Sequence, residues 1–265
     1  QEFNLDLGLR GKRALVLGAS QGMGAEIARV LAQEGCNVFI GARRAAEIER
    51  LASELTEQYS VEAEAYPINL SDGEAVDKLC AKVKHEWSID ILLNNTGGPP
   101  PSVSTGVSKE VWANSFQSLL MSTIRLTESA ISGMQKRGWG RILTIASSGV
   151  IQPIPNLAVS NTIRSAVVGY TKTLSNEVAK EGITVNMILP GRIDTERLAS
   201  IDRSSAEKLD ISLEAAQELS MATIPAGRYG TVREFAQVAV FLMSDCASYI
   251  TGSLIRVDGG IIKGV

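Results

Sequence analysis

The stretch Ala14-Leu15-Val16-Leu17-Gly18-Ala19-Ser20-Gln21-Gly22-Met23-Gly24 decides the reading of this chain. Four apolar residues run into a turn with glycines at G-x3-G-x-G spacing. The segment that follows puts Ile27, Val30 and Leu31 on one helical face. A strand feeding a glycine turn and then a helix brings backbone N–H groups to a pyrophosphate at the positive helix end. Glycines also serve ordinary tight bends. It is the placement between first strand and first helix that makes Gly18, Ser20, Gln21, Gly22, Met23 and Gly24 a candidate nucleotide cradle.

Working outward, the second apolar run, Val38-Phe39-Ile40, ends in Gly41-Ala42-Arg43-Arg44. An acidic residue there would hold the ribose of NAD and repel a 2′-phosphate, whereas a guanidinium offers that phosphate a fork of donors. NADP(H) is therefore expected and NAD(H) is the lesser alternative, with Arg43 favoured over Arg44; the bland reading is that both arginines solvate a helix start. Further β-type runs are Ala63 to Ile68, Ile89 to Leu93, Ile142 to Ala146, Val185 to Leu189 and Leu254 to Val257. Amphipathic stretches lie between them, among them Ala45 to Gln58, Ala75 to Trp87 and Val232 to Met243. Strands with little polar alternation, separated by helices, predict a mostly parallel, seven-stranded, doubly wound α/β sheet covered on both faces.

The 265 residues carry 45% apolar side chains and no linker, repeat or low-complexity run, so a single domain over 1–265 is expected, with 1–8 as a tail. A formal charge of −3 gives no basic footprint for nucleic acid and no polybasic membrane patch. No apolar run reaches bilayer length and the start does not read as a signal peptide. Cys36, Cys80 and Cys246 are odd in number and far apart, which predicts buried free thiols in a reducing cytoplasm. The one histidine, His85, sits in a charged stretch and is expected on a solvated helix face; no metal site is expected.

From about Leu9 to Gly260 the chain resembles the short-chain dehydrogenase/reductase family, in particular its 3-oxoacyl-ACP-reductase-like members. The resemblance rests on the glycine turn, on Asn94-Asn95-Thr96-Gly97, on Pro190-Gly191-Arg192-Ile193-Asp194-Thr195, and on Tyr249-Ile250-Thr251-Gly252 with Val257-Asp258-Gly259-Gly260. It implies that Asn69 and Leu70 lie beside the adenine, and that Asn95 and Gly97 brace the sheet near the adenosine. It also implies that Pro190, Gly191, Ile193 and Thr195 meet the nicotinamide carboxamide. A Rossmann-type fold, a substrate lid over 195–227, a homotetramer and a small carbonyl or alcohol substrate are further implications. Arg192 and Asn156 are candidates to touch a polar or acidic substrate, or to be solvated surface.

The same resemblance exposes an altered centre. The family's serine is kept as Ser147, with Ser148 as fallback, but its tyrosine position falls on Ser160, its lysine position on Arg164 and its relay asparagine on Leu119. Ser160 and Arg164 share a helix face at i, i+4. An aliphatic alcohol is a far weaker acid than a phenol, and Arg164 stays protonated at any working pH, so it can orient ribose or bind an anion and also counts as cofactor-binding. Of the other tyrosines, Tyr170 is expected in packing, while Tyr66, Tyr229 and Tyr249 are not placed by sequence. Three functions follow: an oxidoreductase in which Ser147 holds the substrate oxygen and Ser160 relays a proton through water; a cofactor-binding sensor or scaffold without turnover; and non-redox chemistry of the haloalcohol-dehalogenase kind, whose members pair an arginine with a retained tyrosine.

Overall fold

The structure is a computed structural model and describes residues 5–264. Seven strands, β1 Arg13–Leu17, β2 Asn37–Ala42, β3 Ala63–Pro67, β4 Ile91–Asn94, β5 Gly140–Ile145, β6 Ile183–Pro190 and β7 Leu254–Val257, form one sheet. Every pairing is parallel and the order is β3-β2-β1-β4-β5-β6-β7. The expected sheet is therefore present. Order reverses between β1 and β4, so the crevice at the carboxyl ends of those strands is where such folds take ligands.

The alternation of β1 explains both layers. Ala14 and Val16 join a cluster with Ile27 and Leu31 of α1 (Gly22–Gln33), Ile48 and Leu55 of α2 (Ala45–Tyr59), and Phe235 and Val240 of α9 (Val232–Leu242). Leu15 and Leu17 face the other way. They pack with Val76 and Leu79 of α3 (Gly73–Lys82), Leu126 and Met134 of α5 (Ser122–Arg137), and Leu174 and Val178 of α6 (Ala158–Val178). Each such fully buried side chain contributes roughly 1.5–3 kcal/mol.

Side-chain caps start the helices where the sequence supplies them. Asp72 accepts from Glu74 N at 3.0 Å and Ala75 N at 3.1 Å ahead of α3. Thr231 and Glu234 form a reciprocal capping box on α9. Two segments depart from regular helices. The stretch Val83–Trp87 after α3 is π-helical, and so is Phe116–Met121, which joins α4 (Lys109–Ser115) to α5. The first carries His85, exposed as expected. Beyond β6 the expected lid folds as two helices, α7 Glu196–Leu209 and α8 Leu213–Met221.

Two expectations need correction. The tail expected over 1–8 is ordered where it is described: Leu7 packs on the first cluster and its carbonyl accepts from Asp245 N at 3.0 Å, while residues 1–4 lie outside the described residues. Of the three cysteines only Cys36 is buried; Cys80 is half-buried and Cys246 exposed. Cys246 lies beside the loop that Leu7 joins, at the protein surface, so packing does not account for it. Among the described residues no helix is long and apolar enough to cross a membrane.

Candidate active site

The glycine turn leaves β1 with Gly18 N donating to Gly41 O at 2.7 Å. Gly22 opens α1 at φ +58, a left-handed conformation that a side chain would strain, and a Cβ at Gly24 would overlap the Gly18 carbonyl. The helix start is therefore drawn tightly onto the turn. Asn95, one residue past β4, donates from Nδ2 to Gly18 O at 3.2 Å, while Asn94 is fully buried and donates to Thr127 Oγ1 at 3.2 Å. The two asparagines thus tie the crevice floor in opposite directions.

At the end of β2 it is Arg44 that turns back onto the cradle, its Nη2 2.6 Å from Gln21 Oε1 and 3.3 Å from Ser20 Oγ. Arg43, the sequence favourite, is exposed like Arg44 but makes no such contact with the turn among the described residues. Arg44 stands at the N-cap position of the second helix without capping it, and its side chain reaches the turn instead. Asn69 is exposed, with Oδ1 accepting from Ser71 N at 3.2 Å; Leu70 is partly buried on the second cluster. Gly97 is exposed on the loop after β4.

The segment from Pro190 to Thr195 returns to this crevice. Gly191 N donates to Val257 O at 2.9 Å, and buried Ile193 lies in a parallel bridge with Gly230. Thr195 caps α7, accepting from Leu198 N at 3.3 Å and donating to Ile193 O at 3.2 Å, and its methyl group faces Gly22. The two ends of the expected cofactor site thereby lie side by side, with room for a glycine but little more at position 22. A turn in which Gly18 and Gly24 leave no room for a Cβ, an arginine at its rim and a threonine-capped helix beside it suit a phosphorylated dinucleotide.

At the end of β5, Ser147 Oγ accepts from Gly149 N at 3.1 Å, which leaves its own O–H free to donate. Ser148, the fallback, begins the short helical turn that this bond caps. Ser160 and Arg164 are both buried on α6. Arg164 donates from Nη1 to Ile145 O at 3.0 Å and from Nη2 to Thr96 O at 3.4 Å. Burial, with Arg197 nearby, pulls this guanidinium down from 12.5 to about 10, so it remains charged at neutral pH.

Leu119, which the resemblance sets at the relay position, is a core residue, buried with Val159 and Ile163 of α6 and flanked by Trp112. Its carbonyl is already taken by Thr123 Oγ1 at 2.8 Å. Among the described residues, no tyrosine hydrogen-bonds to Ser147, Ser160 or Arg164. Tyr66 packs edge-on to Trp87, Tyr249 is fully exposed, and burial pushes the Tyr170 phenol up to about 12. Tyr229 donates to Asp202 Oδ2 at 2.9 Å, a bond that fastens α7 to the loop before α9, and burial raises its pKa as well.

Two residues that the sequence reading missed shape the site. Asn161 donates from Nδ2 to Ile154 O at 2.9 Å and so fastens the loop between Ser147 and α6, in which Asn156 is left-handed at φ +59. Arg197 lays its guanidinium against Gly98 so closely that a Cβ there would overlap it. Both act on partners distant along the chain or in irregular loops, where periodicity carries no signal. Arg192 Nε is buried without a hydrogen-bond partner among the described residues.

A parallel sheet with this order, a glycine cradle at its switch point and a serine at the end of β5 define a nucleotide-dependent oxidoreductase scaffold. The chain belongs to the short-chain dehydrogenase/reductase family of NAD(P)-dependent oxidoreductases: the family profile described as enoyl-(acyl carrier protein) reductase matches residues 18–262. It is 33% identical over 258 residues to the 3-oxoacyl-[acyl-carrier-protein] reductase FabG of Escherichia coli strain K12, spanning 96% of this chain and 99% of that one. Among solved structures it is similar to L-sorbose reductase from Gluconobacter frateurii complexed with NADPH and L-sorbose, at TM-score 0.92 and 30% identity over 98% of this chain and 100% of that one. It is also similar to a variant of actinorhodin polyketide ketoreductase with NADPH, at TM-score 0.87 and 33% identity over 95% and 97% of the two chains.

Proposed function

We propose that this chain is an NADP(H)-dependent oxidoreductase acting on a small carbonyl or alcohol substrate. The observation that carries the reading is the closed cradle: Asn95 on Gly18, Arg44 on Ser20 and Gln21, and Thr195 against Gly22. Gly18 to Gly24 would hold the pyrophosphate, Arg44 the 2′-phosphate, and Pro190 to Thr195 the nicotinamide side. NADP(H) would supply or accept the hydride.

The chain's own groups divide the remaining work. Ser147, its oxygen already accepting from Gly149 N, donates a hydrogen bond to the substrate oxygen and fixes the carbonyl in place. Ser160 is too weak an acid to give up a proton unaided, so it positions a water or an acidic group of the substrate. Arg164 stays charged, does not shuttle protons, and orients whatever lies between α6 and the loop after β4.

Loss of NADPH fluorescence with a panel of ketones, oxoacids and sugars tests the reading. A flat trace across the panel with tight NADPH binding would overturn it. It would also favour a second reading, a cofactor-responsive protein without turnover, which the burial of Leu119 in the relay position supports. In that case calorimetry should show tight cofactor binding and a partner gained or lost with it.

A further inference from the structure

Beside the loop after β4 lie two guanidinium groups, and among the described residues no carboxylate pairs with either. Arg164 spends two of its five N–H donors on the carbonyls of Ile145 and Thr96, which fix its plane without neutralising it. Arg197, the second residue of α7, rests on Gly98, two residues beyond Thr96. Two guanidinium groups therefore flank one short loop. Arg197 is exposed and makes no hydrogen bond or ion pair among the described residues, although Arg203 on the same helix is paired with Glu196.

Arg197 is also felt at Arg164, where it adds to burial in disfavouring the charge, and no carboxylate lies near enough to oppose that. Like charges held together without a counter-charge weaken a structure unless something else is gained. An oxyanion entering between them would relieve the repulsion and engage both forks.

We propose that Arg164 and Arg197 form a clamp for a small oxyanion on the substrate, a carboxylate or a phosphate, so that the chain selects an acidic carbonyl compound over its neutral counterpart. Placement favours the substrate over the cofactor as the source of the anion. Arg164 reaches the end of β5 two residues before Ser147, where the substrate carbonyl is held, and Arg197 rides on the lid. The cofactor's 2′-phosphate has its own cation in Arg44 at the far rim of the glycine turn. Arg164 is the fixed jaw and exposed Arg197 the movable one. The assignment of a redox substrate rests on the function proposed above; the binding of the anion does not.

The test titrates oxoacids, their methyl esters and dihydroxyacetone phosphate into the protein with NADPH bound. It follows the fluorescence of bound NADPH for binding and its oxidation for turnover, in the native chain, Arg197→Ala and Arg203→Ala. Arg197 is exposed, so its loss does not threaten the fold. Acids should bind at least about tenfold more tightly than esters in the native chain and Arg203→Ala, and Arg197→Ala should lose on the order of ten- to a hundredfold of that preference. The better of carboxylate and phosphate names the anion. The clamp is overturned if acids and esters bind alike, if the preference survives Arg197→Ala, or if NADPH affinity falls by the same factor. Acid binding that depends on Arg197 without NADPH oxidation would uphold the clamp and remove the redox reading; ester reduction with no acid preference would do the reverse.

Discussion

Arg164 donates from Nη1 to the carbonyl of Ile145 at 3.0 Å, so α6 is fastened to the end of β5 by a buried cation. Its value of about 10 lies below the usual 12.5, and between those limits the unfolded chain holds the proton better than the folded one. Stability linked to this group is therefore flat below about pH 9 and rises with pH through about 10. A lysine in the same place starts near 10.4 and is pushed in the same direction, toward neutrality. In Arg164→Lys, ligand affinity should fall as pH rises from about 6 to 9, while the native chain stays flat; flat curves for both would contradict this.

Removal of the guanidinium at the rim of the glycine turn should act on one cofactor only. Arg44→Ala is expected to weaken NADPH by about ten- to a hundredfold and to leave NADH within about twofold, read from fluorescence titrations. Arg43→Ala should do neither. The reverse outcome would return the phosphate to the residue favoured by sequence alone.

Restoring an asparagine in the relay position should harm the protein rather than repair it. Leu119→Asn removes a buried side chain from between Val159 and Ile163 and leaves an amide among apolar neighbours. The expected loss is about 2–4 kcal/mol in denaturant unfolding, with no gain in turnover. An unchanged midpoint would mean that the cluster opens to water.

What was legible in the sequence was whatever depends on neighbouring residues. Seven runs with little polar alternation marked the strands, and the family resemblance, read through its register, singled out Ser147, Ser160 and Arg164. The π-helical turns at Val83–Trp87 and Phe116–Met121 were not legible, because the apolar spacing of a wide turn matches that of an ordinary helix at this length. The choice of Arg44 over Arg43 turns on side-chain direction at a helix start, and the seat of Arg197 on Gly98 turns on tertiary approach. Composition records neither. Cys246 was misjudged because a free thiol's usual burial is a tendency of the residue type, and the loop it occupies is on the surface.

The Tyr229–Asp202 bond gives a separate handle on the lid. Tyr229→Phe keeps the ring and strands a buried carboxylate, at a cost of about 1–3 kcal/mol. Amide exchange should quicken across α7 and α8, and KM should rise more than kcat falls. Equal exchange in the two proteins would show that the lid is held by other contacts.

The packing of Leu119 against Val159 and Ile163 also bears on how the site responds to paired substitutions. Val159 directly precedes Ser160 and Ile163 directly precedes Arg164, so the apolar face that holds Leu119 adjoins the face that carries the polar pair. A tyrosine introduced alone at 160 meets a cation hydrogen-bonded elsewhere, and an asparagine introduced alone at 119 meets an oily wall. Changes at 119 and 160 are therefore expected to be non-additive, because Leu119 packs on the same turn of α6 that carries Ser160.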